Sequence, residues 1–323
     1  MKRLYLAAML ALLPGLACAQ APGAPPAANQ TAPAVSARPP LPGADRDADP
    51  ALWVVRDEDT TIYLFGTIHL LDGRTWFNDE VRTAFDASGE LVLEARLPED
   101  PSALQTMILQ YALDPQGRTI SSRLTAAQNA ALNRALGSIG VPNGAFDRLE
   151  PWFVSLTLSA ALAQQLGVSA DNGPETILTR AAQGRHIPIG ELEGMEHQVR
   201  IFDALPEALQ LTQLRQTLEE MDHFSEKFGP LVGAWSTGDV DRLGALTGEE
   251  RGEDADSRAL YRIVFTDRNA AWAGWIQQRL AQPGTVFIAV GAGHLAGDDS
   301  VQAALRARGI QSARVPHVRI PAP

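Results

Sequence analysis

Residues 61–70 read TIYLFGTIHL, and residues 285–295 read TVFIAVGAGHL. In both stretches an apolar run typical of a buried strand leads directly into glycine, two further residues, histidine and leucine. Each pattern places its histidine just past the C-terminal end of a strand, where ligands and catalytic groups gather in open α/β sheets. The glycine lets the backbone turn there, so the imidazole can point into the crevice. Two copies in matching contexts indicate an internal duplication around one shared site.

Two glutamates end short strands in the same manner. Glu94 follows the run ELVL, and Glu193 follows IPIGEL. Together with His69 and His294 they form a set of imidazoles and carboxylates that can bind a divalent metal with a position open for water. Metal-bound water ionises near neutral pH, and a neighbouring carboxylate can act as its base. Either histidine alone predicts no more than a capping or packing role, so the prediction rests on the combination.

The order of the predicted elements favours an α/β fold. Strand and helix alternate at both ends of the chain, and helical patterns dominate its middle. We therefore predict a mixed central sheet built from two halves, each carrying one G-x-x-H motif, with a large helical insertion at about residues 99–280. The predicted folded domain extends over residues 50–323.

The N-terminal segment has the pattern of a secretory signal peptide. Residues 1–19 combine early positive charges, an apolar run too short for a membrane span, and the small-residue sequence ACA before Gln20. Cleavage after Ala19 would send the chain to the periplasm or outside the cell. A lipoprotein anchored through Cys18 is the alternative, but Gly15 stands where its signal would have leucine. Residues 20–49 are rich in Pro and Ala and predict a flexible tether.

The composition narrows the chemistry and the partners. The 323 residues include one Cys, 27 Lys+Arg and 38 Asp+Glu, for a net charge of −11. One cysteine forms no intrachain disulfide and no site of several thiolates, so a metal must be held by imidazole and carboxylate. The acidic balance argues against nucleic acid or an anionic membrane as the general partner. The sequence contains no H-E-x-x-H, G-x-S-x-G, phosphate-binding or dinucleotide-binding motif.

Short motifs spread over almost the whole folded part resemble the TraB/GumN family, which includes the Tiki-type proteins. The motifs are, in order, residues 64–69 (LFGTIH), 91–94 (LVLE), 150–152 (EPW), 190–193 (GELE) with Gln198, 235–239 (WSTGD), 267–269 (DRN) and 290–297 (VGAGHLAG). Each motif is short, but their common order is specific. The chain departs from the family pattern at Glu191, where the family has glycine, and at Ala95, where it has an acid.

The resemblance implies a mechanism more than a particular substrate, and we expect that substrate to be a peptide or a small molecule. Tiki-type members look like metal-dependent peptidases, and the family is distantly similar to erythromycin-esterase-like hydrolases. The resemblance assigns the chemistry to His69, Glu94 and His294, both as metal ligands and as catalytic groups. It makes Arg268 a candidate for holding an anionic substrate group or a site carboxylate. The same substrate-binding role is predicted for the neighbouring Asn269 and for Glu193.

Three functions follow as hypotheses. The first is a periplasmic or secreted metal-dependent hydrolase, specifically a peptidase, that uses a divalent ion such as Mn, Co or Zn. The second is a non-catalytic periplasmic protein that binds a ligand in the same crevice. The third is a metal-free, esterase-like hydrolase in which a histidine activates water and Glu94 orients it.

Overall fold

The computed structural model describes residues 41, 47–98, 100–252 and 254–317. The predicted signal peptide and most of the predicted tether lie outside these residues. Just before Pro50 the chain already packs on the domain, because the buried Ala48 donates its amide hydrogen to the carbonyl of Thr75 at 2.8 Å. Among the described helices, none has both the length and the apolar character required to cross a membrane.

The centre of the fold is a six-stranded mixed sheet, as predicted. Its order is β4-β3-β5-β2-β1-β6; β4, β3, β5 and β2 run parallel, and β1 is antiparallel to both neighbours. The strands are β1 (Leu52–Arg56), β2 (Thr60–Thr67), β3 (Glu90–Leu93), β4 (Ile189–Glu191), β5 (Gly284–Gly291) and β6 (Ser312–Arg314).

The strand register places the two G-x-x-H motifs side by side. Strands β2 and β5 are parallel neighbours, and their last residues, Thr67 and Gly291, are register partners. The turns that follow pack closely, because a Cβ at Gly66 would lie 3.0 Å from both Cα and Cβ of Ala292. Glycine at this position therefore lets the two histidine-bearing turns approach each other.

Helices cover both faces of the sheet. The α-helices of the described residues are α1 (Asp79–Ala87), α2 (Pro101–Ala112), α3 (Ile120–Arg123), α4 (Ala126–Ser138), α5 (Pro151–Gln164), α6 (Pro174–Arg185), α7 (Met195–Asp203), α8 (Glu207–Glu220), α9 (Phe224–Ser236), α10 (Val240–Gly248), α11 (Ala255–Tyr261), α12 (Asp267–Arg279) and α13 (Val301–Ala307). Successive residues of β5 alternate between two cores: Phe287 packs with α1, α6 and α9, and Ile288 packs with α12 and α13. Burial on both faces explains why β5 reads as a continuous apolar run.

The helical middle of the chain has its own core and contributes one strand to the sheet. Apolar residues of α2, α4, α5, α7, α8 and α11 form a third cluster, in which Trp152 stacks on Phe202 with ring centroids 5.9 Å apart. Strand β4 lies within this middle region and pairs with β3. Near the end of the predicted helical insertion (about residues 99–280), a π-helical turn (Arg262–Thr266) lies directly before α12.

Candidate functional site

The guanidinium of Arg268 forms the centre of a buried polar cluster at the C-terminal ends of β3, β4 and β5. Its Nη2 atom donates hydrogen bonds to the carboxylates of Glu94 and Glu193, and its Nε donates to Oε1 of Glu193 at 2.9 Å. Its Nη1 atom donates to the carbonyl oxygen of Val264 at 3.1 Å. Only 3% of Arg268 is exposed. Arg268 thus holds two site carboxylates, one of the two roles that the sequence suggested for it.

The backbone brings the two carboxylates together. The amide of Glu94 bonds the carbonyl of Ala289, and the amide of Glu193 bonds the carbonyl of Glu94 at 3.1 Å, so the strand pairing continues past the ends of β3 and β4. Gln198 on α7 donates through Nε2 to Oε1 of Glu94 at 2.7 Å and to Oε1 of Glu193 at 3.0 Å. The amide of Gly291 donates to the other oxygen of Glu94 at 3.0 Å.

Burial and charge act against each other in this cluster. Burial raises the pKa of Glu94 above its usual 4.5, Arg268 opposes the rise, and Glu193 adds to it. Burial disfavours the charge of Arg268, but the two carboxylates outweigh it and keep the pKa of the guanidinium above its usual value. Arg268 therefore stays charged, while Glu94 has a higher affinity for a proton than an exposed glutamate.

His294 is held in one tautomer by its neighbours. Nδ2 of Asn269 donates to the carbonyl oxygen of Asp299 at 2.6 Å, which turns Oδ1 of Asn269 toward the histidine. Because Oδ1 only accepts, the His294 Nδ1 atom at 2.6 Å must donate. The proton is thus on Nδ1, and Nε2 carries a lone pair that accepts a hydrogen bond from Nη1 of Arg268 at 3.3 Å.

Aromatic rings enclose this histidine. The ring centroids of Phe265 and Trp272 lie 4.9 Å and 4.4 Å from that of His294, which has no exposed surface. Burial and the nearby charge of Arg268 lower the pKa of His294 well below its usual 6.5. His294 is therefore a neutral imidazole, the form that serves as a hydrogen-bond acceptor or a metal ligand.

His69 has a different partner, a carboxylate. Oε1 of Glu175, the second residue of α6, lies 2.5 Å from Nδ1 of His69. Burial would raise the pKa of Glu175, but His69 and a hydrogen bond from Thr67 hold it below its usual 4.5. At the start of α6, a Cβ on Gly173 would lie 2.2 Å from the carbonyl oxygen of His69, so the absence of a side chain there permits the approach.

The imidazoles and carboxylates of the cluster are suitable ligands for a divalent metal, but their positions differ from those in a preformed metal site. Within the described ranges, one trio of side chains has ligand atoms within 4.8 Å of one another, namely Asp49, Asp79 and His317; His69, Glu94 and His294 are not such a trio there. In the cluster, the guanidinium of Arg268 contacts both Glu94 and Nε2 of His294.

The family model described as TraB/PrgY/gumN matches residues 51–314. The chain belongs to this family.

The relatives found among individual proteins are distant in sequence. An uncharacterized protein of Escherichia coli K12, YbaP, is 27% identical over 201 residues, which are 61% of this chain and 71% of the relative. An uncharacterized protein of Treponema pallidum is 24% identical over 269 residues, with 79% of this chain and 80% of the relative covered. A metalloprotease TIKI homolog of Amphimedon queenslandica is 23% identical over 311 residues, 80% of this chain and 60% of the relative. No solved structure matches significantly.

In this TraB/PrgY/gumN chain, the residues predicted for the site lie in one region. Glu94, Glu193, Arg268 and His294 are joined by direct contacts, and Asn269 bonds His294. Asn269, predicted to bind substrate, has both ends of its amide engaged within the protein. His69 lies near enough to add to the lowering of the pKa of His294, after burial and Arg268.

Two members of the site escaped the sequence analysis. Gln198 was part of the family pattern but carried no predicted role, although it bridges Glu94 and Glu193. Glu175 carried no signal, because an acid in the first turn of a helix is ordinarily explained by the helix dipole. Only the packing of α6 against the end of β2 reveals it as the partner of His69.

Proposed function

We propose that this chain is a hydrolase whose reaction centre comprises His69, Glu94 and His294, with Arg268 and Glu193 in support. The observation that carries the proposal is the buried, neutral His294 beside a carboxylate pair whose charge is partly offset by one guanidinium. A carboxylate of raised pKa is suited to accept a proton from water, and a neutral imidazole can accept a hydrogen bond or ligate a metal. Membership of the TraB/PrgY/gumN family is compatible with this reaction class.

The more specific proposal is a metal-dependent peptidase. It is supported by the name of the sponge relative, a metalloprotease TIKI homolog, and by the imidazole and carboxylate character of the donors. His69, Glu94 and His294 would hold the ion, with Mn, Co or Zn as candidates. A bound divalent ion polarises a carbonyl and lowers the pKa of water. Around it, Asn269 orients His294, and Glu175 orients His69.

A metal-free hydrolase is the second candidate, and a specific observation favours it. Arg268 already supplies a positive charge in contact with Glu94 and His294. His69, paired through Nδ1 with the carboxylate of Glu175, has the arrangement in which an imidazole accepts a proton and its carboxylate stabilises the resulting charge. In this version Glu94 orients the attacking water, and Arg268 favours the charged form of that carboxylate.

The test uses the full chain and its single-histidine variants. We expect a peptide library and simple ester substrates to be cleaved by the wild type, with loss of turnover in folded His69→Ala and His294→Ala. His223→Ala is the matched control, because His223 is exposed and pairs only with Glu226 among the contacts described here. Full activity and unchanged metal content in both site variants would refute the proposal.

The same experiment separates the candidates. Elemental analysis combined with turnover in the presence of a chelator distinguishes the two hydrolases, since only the metal-dependent enzyme loses activity. Capture of a ligand without turnover would instead support the non-catalytic binding protein.

Periplasmic or secreted localisation is also a proposal, and it is supported by the sequence of residues 1–19. Expression with a C-terminal tag and mass spectrometry of the mature protein tests it. A chain that begins at Gln20 supports cleavage after Ala19. A chain that retains Met1 contradicts it.

A further inference from the structure

The Arg268 guanidinium uses the same donor atoms that a divalent metal would need. Its Nη1 atom contacts Nε2 of His294 at 3.3 Å, and its Nη2 atom contacts Oε1 of Glu94. These are two of the three side chains predicted to ligate the ion. The overlap is therefore between individual atoms and not only between neighbouring regions of the site.

The overlap is exclusive at the histidine. Nε2 of His294 has a single lone pair, because the proton is fixed on Nδ1 by Asn269. That lone pair can accept a hydrogen bond from Arg268 or bind a metal, but it cannot do both. The carboxylate of Glu94 is less restrictive: Oε1 accepts from both Arg268 and Gln198, but Oε2 has two lone pairs and accepts from Gly291.

The charges lead to the same conclusion. Arg268 is buried together with Glu94 and Glu193, and its guanidinium is the cation that offsets them in the contacts described here. A divalent cation added beside a retained guanidinium would meet strong repulsion where little water screens it. Without Arg268, the same two carboxylates would be buried with no compensating charge, and a metal ion would relieve that cost.

We propose that Arg268 and a divalent cation are alternative occupants of this site and compete for Glu94 and His294. A metal can bind there only after the guanidinium leaves Nε2 of His294. Affinity for the metal is consequently reduced by the free energy needed to break the contacts of Arg268. The inference rests on the proposed reaction centre for its location, but its test measures metal binding and not turnover.

The experiment titrates Mn²⁺, Co²⁺ and Zn²⁺ into chelator-treated full-length protein by calorimetry. Every protein carries His317→Ala, so that the surface trio with Asp49 and Asp79 lacks its imidazole. We expect Arg268→Gln to bind metal about tenfold or more tightly than its parent, because the competing charge is gone. Arg279→Gln is the matched control: it removes one positive charge from the same helix, at a residue that pairs with Glu90.

Thermal unfolding provides a second measurement. Arg268→Gln should melt below its parent without metal and recover when metal is added, whereas Arg279→Gln should show no larger metal-induced shift than the parent. If Arg268→Gln does not fold without metal, Arg268→Lys is titrated instead. A lysine ammonium is a single point charge that cannot contact both the carboxylates and His294 as the planar guanidinium does, so we expect intermediate affinity.

Arg268 variants that bind metal no more tightly than Arg279→Gln would overturn the competition, including the case in which no protein binds metal. Turnover is scored separately from binding. A gain in metal affinity in Arg268→Gln without hydrolysis by any protein supports the competition and contradicts the proposed function. Chelator-insensitive hydrolysis with no gain in metal affinity in Arg268→Gln supports the proposed hydrolase and contradicts the competition.

Discussion

Nη1 of Arg268 lies 3.3 Å from Nε2 of His294, and burial together with this contact accounts for the charge state of the histidine. A guanidinium only donates hydrogen bonds, so the imidazole nitrogen that faces it must accept. Burial and the positive charge of Arg268 both lower the pKa of His294. A neutral histidine with a fixed tautomer is therefore a consequence of its position between Arg268 and Asn269.

His294 should make the stability of the protein depend on pH below 6.5. Its pKa is lowered on folding, so in this range the unfolded chain binds a proton that the folded chain does not, and stability falls as the pH falls. His294→Gln removes this difference, and we expect the slope of unfolding free energy against pH to decrease by up to about 1.4 kcal/mol per pH unit. Urea unfolding at several pH values checks it, with His223→Gln as the matched exposed histidine. An unchanged slope would contradict the assignment.

Glu175 should make the stability of the protein depend on pH in a more acidic range. Its pKa is lowered on folding below the usual 4.5, so its contribution to stability is present above 4.5 and is lost as the pH falls through the lower, folded-state value. Glu175→Gln should therefore give a flatter acid limb in unfolding curves, and Glu175→Asp, which keeps a carboxylate, should retain more of it. Superimposable acid limbs for wild type and Glu175→Gln would disprove the pairing with His69.

Asn269→Ala should release the imidazole of His294. The Nδ1 donor would then be buried without its acceptor, at a cost of about 1–3 kcal/mol in the free energy of unfolding. Nε2 still faces Arg268 and keeps its lone pair, so we expect the ¹⁵N chemical shift of Nδ1 to change most, because its N–H has lost its acceptor. Asn129→Ala is the control, because the Asn129 side chain bonds only the carbonyls of Ser121 and Leu124 among the contacts described here. Equal effects of the two changes on stability and on the shifts of His294 would count against the orienting role.

Gly173→Ala tests the close approach of α6 to the first histidine turn. The added Cβ would lie 2.2 Å from the carbonyl oxygen of His69, so the backbone must shift, and we expect a loss of about 1–3 kcal/mol in stability. Gly184→Ala lies in the same helix with nothing within 4 Å of the added carbon, and should stabilise the protein by about 0.5–1 kcal/mol. Denaturant unfolding of both variants decides the matter, and a neutral Gly173→Ala would show that the approach is not tight.

The sequence was sufficient to predict the strands that carry the site. An apolar run followed by glycine marks the end of a buried strand, and this pattern located β2 and β5 together with His69 and His294. The positions of Glu94 and Glu193 followed from the short predicted strands that they end. Their direct contact with a common partner did not, because it depends on the strand order β4-β3-β5, and strand order is a property of the assembled sheet.

Partners that come from helices were harder to predict. Arg268 is the second residue of α12, directly after the π-helical turn at Arg262–Thr266, and π-helical turns are rare. Glu175 reaches His69 only because α6 packs with its first turn against the end of β2. Both relationships are set by how helices dock on the sheet, and local sequence carries little information about docking.

The parallel pairing of β2 with β5 has a consequence for biosynthesis. Thr60 at the start of β2 is paired with Gly284, so the chain must close a very long loop, at an entropic cost, before its central strand is in place. While the ribosome is still making the helical middle, His69 and Glu94 exist but the strand between them does not. A chain cut short before β5 lacks Gly291 and His294 and therefore cannot assemble the buried polar cluster, however much of its helical part has folded.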